Sequence, residues 1–356
     1  MEKHYIMKEA ILKEDSPSKV TIFEESYLDL VEHIAAKGTP KINRTGIDTR
    51  SCFSNNTLEH DMRGPALSRN YWEHFGYNPH DESGSQFSTH VLPLLVYRPL
   101  QFRIAWYETL MFLMGITDTN FLEKRDIKIW KGNTTREFLD SRGLNHLSEG
   151  DMGKGYGFQW RAFGDITDQI EELLQNMIND PFSRRHIVTA WNPNQLSDMA
   201  LPPCHLLWQL NVDVDSNFDD RYYVDIQYYM RSSDVVFGLP FNMVSYSLIN
   251  ILICSYLDQI THKEWVPRMC YYVAGDAHVY ENQLDYVEEM LDRSYENTRL
   301  RRNVNSLEPT LLMPSEYMAE ATDDFDSFLK HHLHRGFDLI YTPQEKMKTP
   351  RPSMAV

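Results

Sequence analysis

From Val235 to Leu257 the chain carries no charged side chain. A stretch of that length either crosses a bilayer or is enclosed by the rest of the protein. Gly238, Pro240, Asn242, Asn250 and three serines interrupt its apolar character, and no charged loop frames it as a stop-transfer segment. The expectation is a turn followed by a helix, Met243 to Leu257, buried all round. That alone requires a large enclosing core.

The remaining pattern supplies one. Phe23 to Lys37, Phe102 to Leu113 and Asp168 to Ile178 place apolar residues at helical spacing, the last capped from the region of Thr167. His186 to Trp191 is β-rich. Leu206 to Val214 and Tyr222 to Tyr229 alternate apolar with polar, and the acidic segment Asp215 to Asp220 joins them as a hairpin. Lys41 to Phe53 is polar and turn-rich, and Asp61 to Ser88 is the least patterned region. The mixture predicts an α+β fold, with a largely antiparallel sheet covered by helices. A net charge of −16 argues against a surface that grips duplex nucleic acid, yet leaves room for a small anion held by a few arginines. Four cysteines in 356 residues form no disulfide framework, and the N-terminus has no apolar run of signal-peptide length, so a cytoplasmic protein is expected, in the host cytoplasm if viral.

Several motifs could carry chemistry. Pro202-Pro203-Cys204-His205 holds a cysteine rigidly ahead of a strand, where nearby cations would favour its thiolate; a cysteine alone is more often a small core hydrophobe. Arg231 and Ser232 together suit a phosphate, and the Asn242 amide matches the N3–H and O4 edge of uracil. Arg184-Arg185 and Arg44 are further anion candidates. His278 and Tyr280 share one face of an extended segment and suit a sugar hydroxyl. Each motif also has a plain structural reading as a strand end, a helix cap or a surface pair. His331, His332 and His334 do not converge on one ion, so no metal is expected.

The order of the motifs is more specific than any one of them. Arg44-Thr45-Gly46, Glu108, Ile129-Trp130, Tyr156-Gly157-Phe158-Gln159-Trp160-Arg161, Ser183-Arg184-Arg185, Ala200-Leu201-Pro202-Pro203-Cys204-His205, Arg231-Ser232-x-Asp234, Gly238-Leu239-Pro240-Phe241-Asn242, Gly275-Asp276-Ala277-His278-Val279-Tyr280 and Met354-Ala355-Val356 follow in register. In them the chain resembles the thymidylate synthase family, from about Lys41 to Phe53 and from Pro93 to Val356. The resemblance implies one domain over residues 1–356, with an N-terminal extension (1–20), an insertion at about 61–92, and a homodimer formed through the sheet face. It implies two small-molecule partners, deoxyuridylate (dUMP) and 5,10-methylenetetrahydrofolate, with neither DNA nor a membrane. Cys204 would attack C6 of dUMP, and C5 would then take the one-carbon unit. Glu108 would organise proton movement at O4, with Tyr156 assisting at C5. Arg44, Arg231 and Ser232 would grip the phosphate, joined by Arg184 and Arg185 from across the dimer. His205 would sit at the nucleotide, Asn242 would read the base, and His278 and Tyr280 would hold the ribose. Asp234, Trp130, Phe241 and Ala355 would position the folate, with Met354-Ala355-Val356 closing over it.

The departures from the family pattern bear on the product. Lys154 stands in the usual Gly-Pro-Val-Tyr-Gly, Met230 replaces a Gln, Lys131 an Asp and Met111 a Trp. The run through Val235-Val236-Phe237 is similar to phage deoxycytidylate hydroxymethylases, which carry Asp where this chain has Asn242. These changes give the expectation of water capture, yielding 5-hydroxymethyl-dUMP for phage DNA modification. The alternative is hydride delivery, giving dTMP and dihydrofolate. A third reading, an RNA-binding regulator, sits poorly with the acidic charge and the full set of catalytic residues.

Overall fold

The computed structural model describes residues 8–12, 18–43, 45–64, 87–214, 220–296, 306–314 and 324–352. The described elements run β1 (Lys8–Leu12), α1 (Ile22–Lys37), β2 (Thr39–Lys41), β3 (Thr49–Asp61), β4 (Phe87–Val91), α2 (Phe102–Leu113), α3 (Asn120–Glu123), α4 (Arg136–Ser141), α5 (Tyr156–Ala162), α6 (Gln169–Asn179) and β5 (Ile187–Thr189). They continue with β6 (His205–Val214), β7 (Arg221–Asp234), α7 (Leu239–Thr261), β8 (Glu264–Tyr280), α8 (Leu284–Glu296), β9 (Thr310–Pro314), α9 (Phe325–Arg335) and β10 (Gly336–Ile340).

Six strands form the main sheet in the order β2-β3-β8-β7-β6-β5. Every pairing is antiparallel except β7 with β8, where α7 supplies the crossover. The alternation in β6 does what its spacing dictates: Trp208, Leu210 and Val212 are buried, while Asn211 and Asp213 face solvent. Pro240 starts α7 and left-handed His262 (φ 55°) stops it. The most apolar window of α7 is 89% buried, wedged between the sheet and α2, so the uncharged run is core rather than a membrane span. Trp106, Trp160 and Trp208 fill the space around it. In α6 the capping side chain is Asp168, whose carboxylate accepts the N–H of Glu171.

Two segments differ from expectation. The turn-rich stretch Lys41 to Phe53 holds the end of β2 and the start of β3, which runs on to Asp61 with an irregularity between Phe53 and Asn56. A second sheet, β1-β10-β9-β4, was not anticipated. It joins β4, at the end of the expected insertion, to β1, within the expected N-terminal extension, and to two strands from residues 310–340. Lys8 pairs opposite Gly336 in a parallel register. Most of the insertion, 65–86, lies outside the described residues.

Candidate active site

The C-terminal end of β7, the start of β6 and the N-terminus of α7 meet α2 around a cavity of about 270 Å³. Asp234 makes this junction. Its Oδ1 accepts the N–H groups of Val236 (2.9 Å) and Phe237 (3.0 Å), and its Oδ2 accepts from Gln283 (3.0 Å). The tight turn that follows requires Gly238, where a Cβ would stand 2.9 Å from the Asp234 carbonyl oxygen. Phe241 and Asn242 are thereby delivered to the cavity wall.

Cys204 lies on the opposite wall. Arg231 clamps its loop, donating from Nε to the Pro203 carbonyl (2.8 Å) and from Nη2 to the Pro202 carbonyl (3.2 Å). The same Nη2 stands 3.8 Å from Cys204 Sγ, so a fixed positive charge borders the thiol. The Cys204 N–H donates to the Tyr156 hydroxyl oxygen at 2.7 Å. Burial holds the Tyr156 phenol far above its ordinary pKa, and the neighbouring Cys204 adds to this, so the hydroxyl keeps its proton.

Glu108 reaches the cavity from α2 and accepts a 2.8 Å hydrogen bond from Trp130 Nε1. Burial pushes its carboxyl up to about 7, against the Trp130 bond, which lowers it. A carboxyl poised there exchanges a proton near neutrality, as a general acid requires. His205 is driven down to about 4 by burial, so its imidazole is neutral.

Cys204, Glu108, Tyr156, Asp234, His205, Ser232, Asn242, Trp130 and Phe241 thus share one cavity. Other expected site residues stand apart. Arg231 acts beside the cavity rather than lining it. Arg184 and Arg185 are exposed just ahead of β5. His278 and Tyr280 stand edge to face, 5.2 Å apart, one strand over from Asp234, with His278 Nδ1 2.9 Å from Asp276. Arg44 and Ala355 lie outside the described residues.

The sequence reading missed a second cavity of about 390 Å³ that shares Ile104, Phe237, Phe241 and Arg351 with the first. Arg98, Lys346 and Arg351 make it cationic. Arg98 is only 2% exposed, and its Nε and Nη2 meet no partner among the described residues. That guanidinium therefore has N–H donors to offer an anion. Among the described residues, no group of three His, Cys, Asp or Glu side chains could hold a metal.

The family model described as thymidylate synthase matches residues 25–313. The chain is 33% identical to the thymidylate synthase of Candida albicans over 292 residues, 76% of this chain and 83% of that protein. It is 34% identical to the thymidylate synthase of Equine herpesvirus 2 over 304 residues, 81% of this chain and 91% of the viral one. It is 37% identical to the bifunctional dihydrofolate reductase-thymidylate synthase of Leishmania major over 282 residues, 76% of this chain but only 47% of that longer protein.

Proposed function

Because the chain belongs to the thymidylate synthase family, which transfers a one-carbon unit from 5,10-methylenetetrahydrofolate to dUMP, we propose that it methylates dUMP to dTMP and releases dihydrofolate. The observation that carries the reading is one cavity holding a cation-flanked thiol, a carboxyl poised near 7 and the Asn242 amide. The Cys204 thiolate adds to C6 of the pyrimidine. The electron pair of the C5–C6 bond moves toward O4, where protonated Glu108 stabilises the charge. The neutral Tyr156 hydroxyl, anchored on the Cys204 N–H, orients an acceptor for the C5 proton. Trp130 and Phe241 would flank the folate, and Arg98, Lys346 and Arg351 would hold its glutamate carboxylates. The folate would supply the carbon and the hydride that reduces it, and the C6–S bond then breaks, with its electron pair returning to Cys204 as the C5–C6 double bond re-forms.

This reading departs from the water-capture expectation, which rested on residues 111, 131, 154 and 230. Met111 is fully buried. Lys131 pairs with Glu123 at 3.2 Å and Lys154 with Asp165 at 2.7 Å, both away from the cavity. Only Met230 lines the cavity, and a thioether holds a water poorly. None of the four brings a new polar anchor over C5.

A homodimer is part of the proposal. The sheet face opposite α7 exposes Phe53 (73%), Ile187 (44%) and Leu207 (38%). On that face Gly275 leaves room for the Tyr229 hydroxyl and the Phe53 ring, which crowd the place a Cβ would take. A second copy covering this face would bring its Arg184 and Arg185 to the phosphate.

Mass spectrometry of the nucleotide formed from dUMP and methylenetetrahydrofolate tests the reading. A 5-methyl product is expected, lost in Cys204→Ser. A 5-hydroxymethyl product overturns it.

A further inference from the structure

One wall of the second cavity comes from a strap, residues 342–352, that is neither helix nor strand. Gln344 fastens its start, donating its N–H to the Val96 carbonyl at 2.8 Å. Beyond that point, four of its backbone groups are held by two side chains of α8. Arg293 donates to the carbonyls of Glu345 (2.5 Å) and Lys346 (2.7 Å). Glu289 accepts the N–H of Lys348 on one oxygen (2.8 Å) and that of Thr349 on the other (2.6 Å). Arg293 also binds Glu289, Nη2 to Oε1 at 2.7 Å, and reaches the Tyr97 carbonyl, next to Arg98, at 3.3 Å.

Each of these contacts has a fixed direction, since a guanidinium and a backbone N–H only donate and a carbonyl only accepts. Against burial, the Lys348 and Thr349 N–H groups and Arg293 bring the Glu289 carboxyl down to about 2, so it accepts as an anion. The strap needs such a tether. Glu345, Lys346, Lys348 and Pro350 are exposed, and Met347 is only partly buried against the core, so little apolar area holds the segment in place. It also brings cations to a cation. The Arg98 and Arg351 guanidiniums both stand over the Phe237 ring, 5.3 and 4.7 Å from its centre, and they repel each other. An anion bound between them would relieve that repulsion; until one arrives, the tether must oppose it.

We infer that Glu289 is a positioning residue for the folate: with Arg293 it pins the strap and keeps Lys346 and Arg351 at the second cavity before any ligand arrives. This rests on the reading that folate carboxylates occupy that cavity. Glu289 touches no substrate and lines neither cavity. It acts by preorganisation, because the apparent affinity for the anion scales with the fraction of molecules whose strap is already in place. Saturating folate draws the strap in by itself, so loss of the tether shows in KM rather than in kcat.

Glu289→Ala is the test, because it removes both acceptor oxygens and leaves a good helix former in α8. Trypsin, applied without nucleotide or folate, reads the strap directly at the bond between Lys348 and Thr349, the two residues whose N–H groups Glu289 holds. The unmodified protein is expected to resist cleavage there, and Glu289→Ala to lose residues 349–356 roughly tenfold faster, followed by mass spectrometry. Tritium release from C5-labelled dUMP then gives the kinetics, whether the final product is methyl or hydroxymethyl. KM for methylenetetrahydrofolate is expected to rise roughly tenfold, the worth of one charge-assisted hydrogen bond, with kcat and KM for dUMP changed less than about twofold. Glu289→Gln keeps one acceptor oxygen and is expected to fall between. Rapid cleavage at Lys348–Thr349 in the unmodified protein overturns the inference without any variant, so it stays refutable if Glu289→Ala fails to fold. Faster cleavage with an unchanged folate KM overturns it as well, and so does a fall in kcat with both KM values raised together, the mark of a purely structural role. If the unmodified protein releases no tritium from dUMP, the proposed function fails instead, a result distinct from these because the cleavage rates still show whether Glu289 holds the strap.

Discussion

Replacing Trp130 with Phe removes one N–H from the Glu108 carboxyl and keeps an aromatic ring at the cavity wall. That N–H stands 2.8 Å from Glu108 Oε1 and stabilises the ionised form, while burial pushes the carboxyl up to about 7. Hydrogen bonds to charged groups contribute about 1.5–3 kcal/mol. One pH unit of titration corresponds to about 1.4 kcal/mol. The Glu108 side chain stays partly open to the cavity, so the lower end of that range applies and the midpoint should rise by roughly one pH unit. The C=O stretch of the protonated carboxyl, assigned by its loss in Glu108→Gln, follows this titration in infrared difference spectra. The alkaline limb of kcat/KM for dUMP should move upward with it. A band that titrates at the same pH in both proteins would refute the claim that the indole N–H tunes this carboxyl. A lowered midpoint would reverse the sign of the argument.

Arg98→Met should raise KM for the folate by roughly tenfold or more, the loss of one charge-assisted contact, and leave KM for dUMP unchanged; equal changes in both would mean that Arg98 serves the fold alone. Cys204→Ala and Arg185→Glu should each be inactive, yet mixed after unfolding and refolding they should regain up to a quarter of the activity, because mixed dimers hold one intact site; no recovery would confine each site to one chain. Burial raises the Glu24 carboxyl from 4.5 to about 7, against the hydrogen bonds it accepts from the Val96 and Tyr97 N–H groups. The folded state holds that proton more tightly than the unfolded chain, so unfolding free energy should fall by roughly 3 kcal/mol as pH rises from about 4.5 through 7. Urea titrations should show that dependence flattened in Glu24→Gln, and parallel curves would contradict it.

What could be read from the sequence was what repeats locally. Phe102 to Leu113 and the strands about Trp208 and Tyr228 carry a full period within one element, so the helix and the hairpin were legible. The second sheet was not, because its strands are five residues long and β1 pairs with a strand more than three hundred residues away. β3 was hidden by a break in register at Phe53/Asn56, which interrupts the alternation. The site motifs were legible as residues, and several of them line one cavity, but Arg98 and Arg351 have no local signature. They matter through burial and through each other's neighbourhood, which the chain order does not display. Asp234 shows the opposite limit: its place at the cavity was expected, but not that its carboxylate holds the turn that delivers Asn242.

The pairing of β1 with β10 has a consequence for biosynthesis. As the chain leaves the ribosome, α2 and all six strands of the main sheet are available once Tyr280 has emerged, and the thiol loop can already be clamped by Arg231. Lys8 to Leu12 must wait for Gly336 to Ile340. Until those residues emerge, β1 lacks its partner in the sheet and is an open edge, the kind of strand that recruits other chains or chaperones. The wall that carries Arg351 arrives later still. A nascent chain can therefore build its nucleophile long before it can enclose a folate, and cofactor abundance can stabilise only molecules already extended past Arg351.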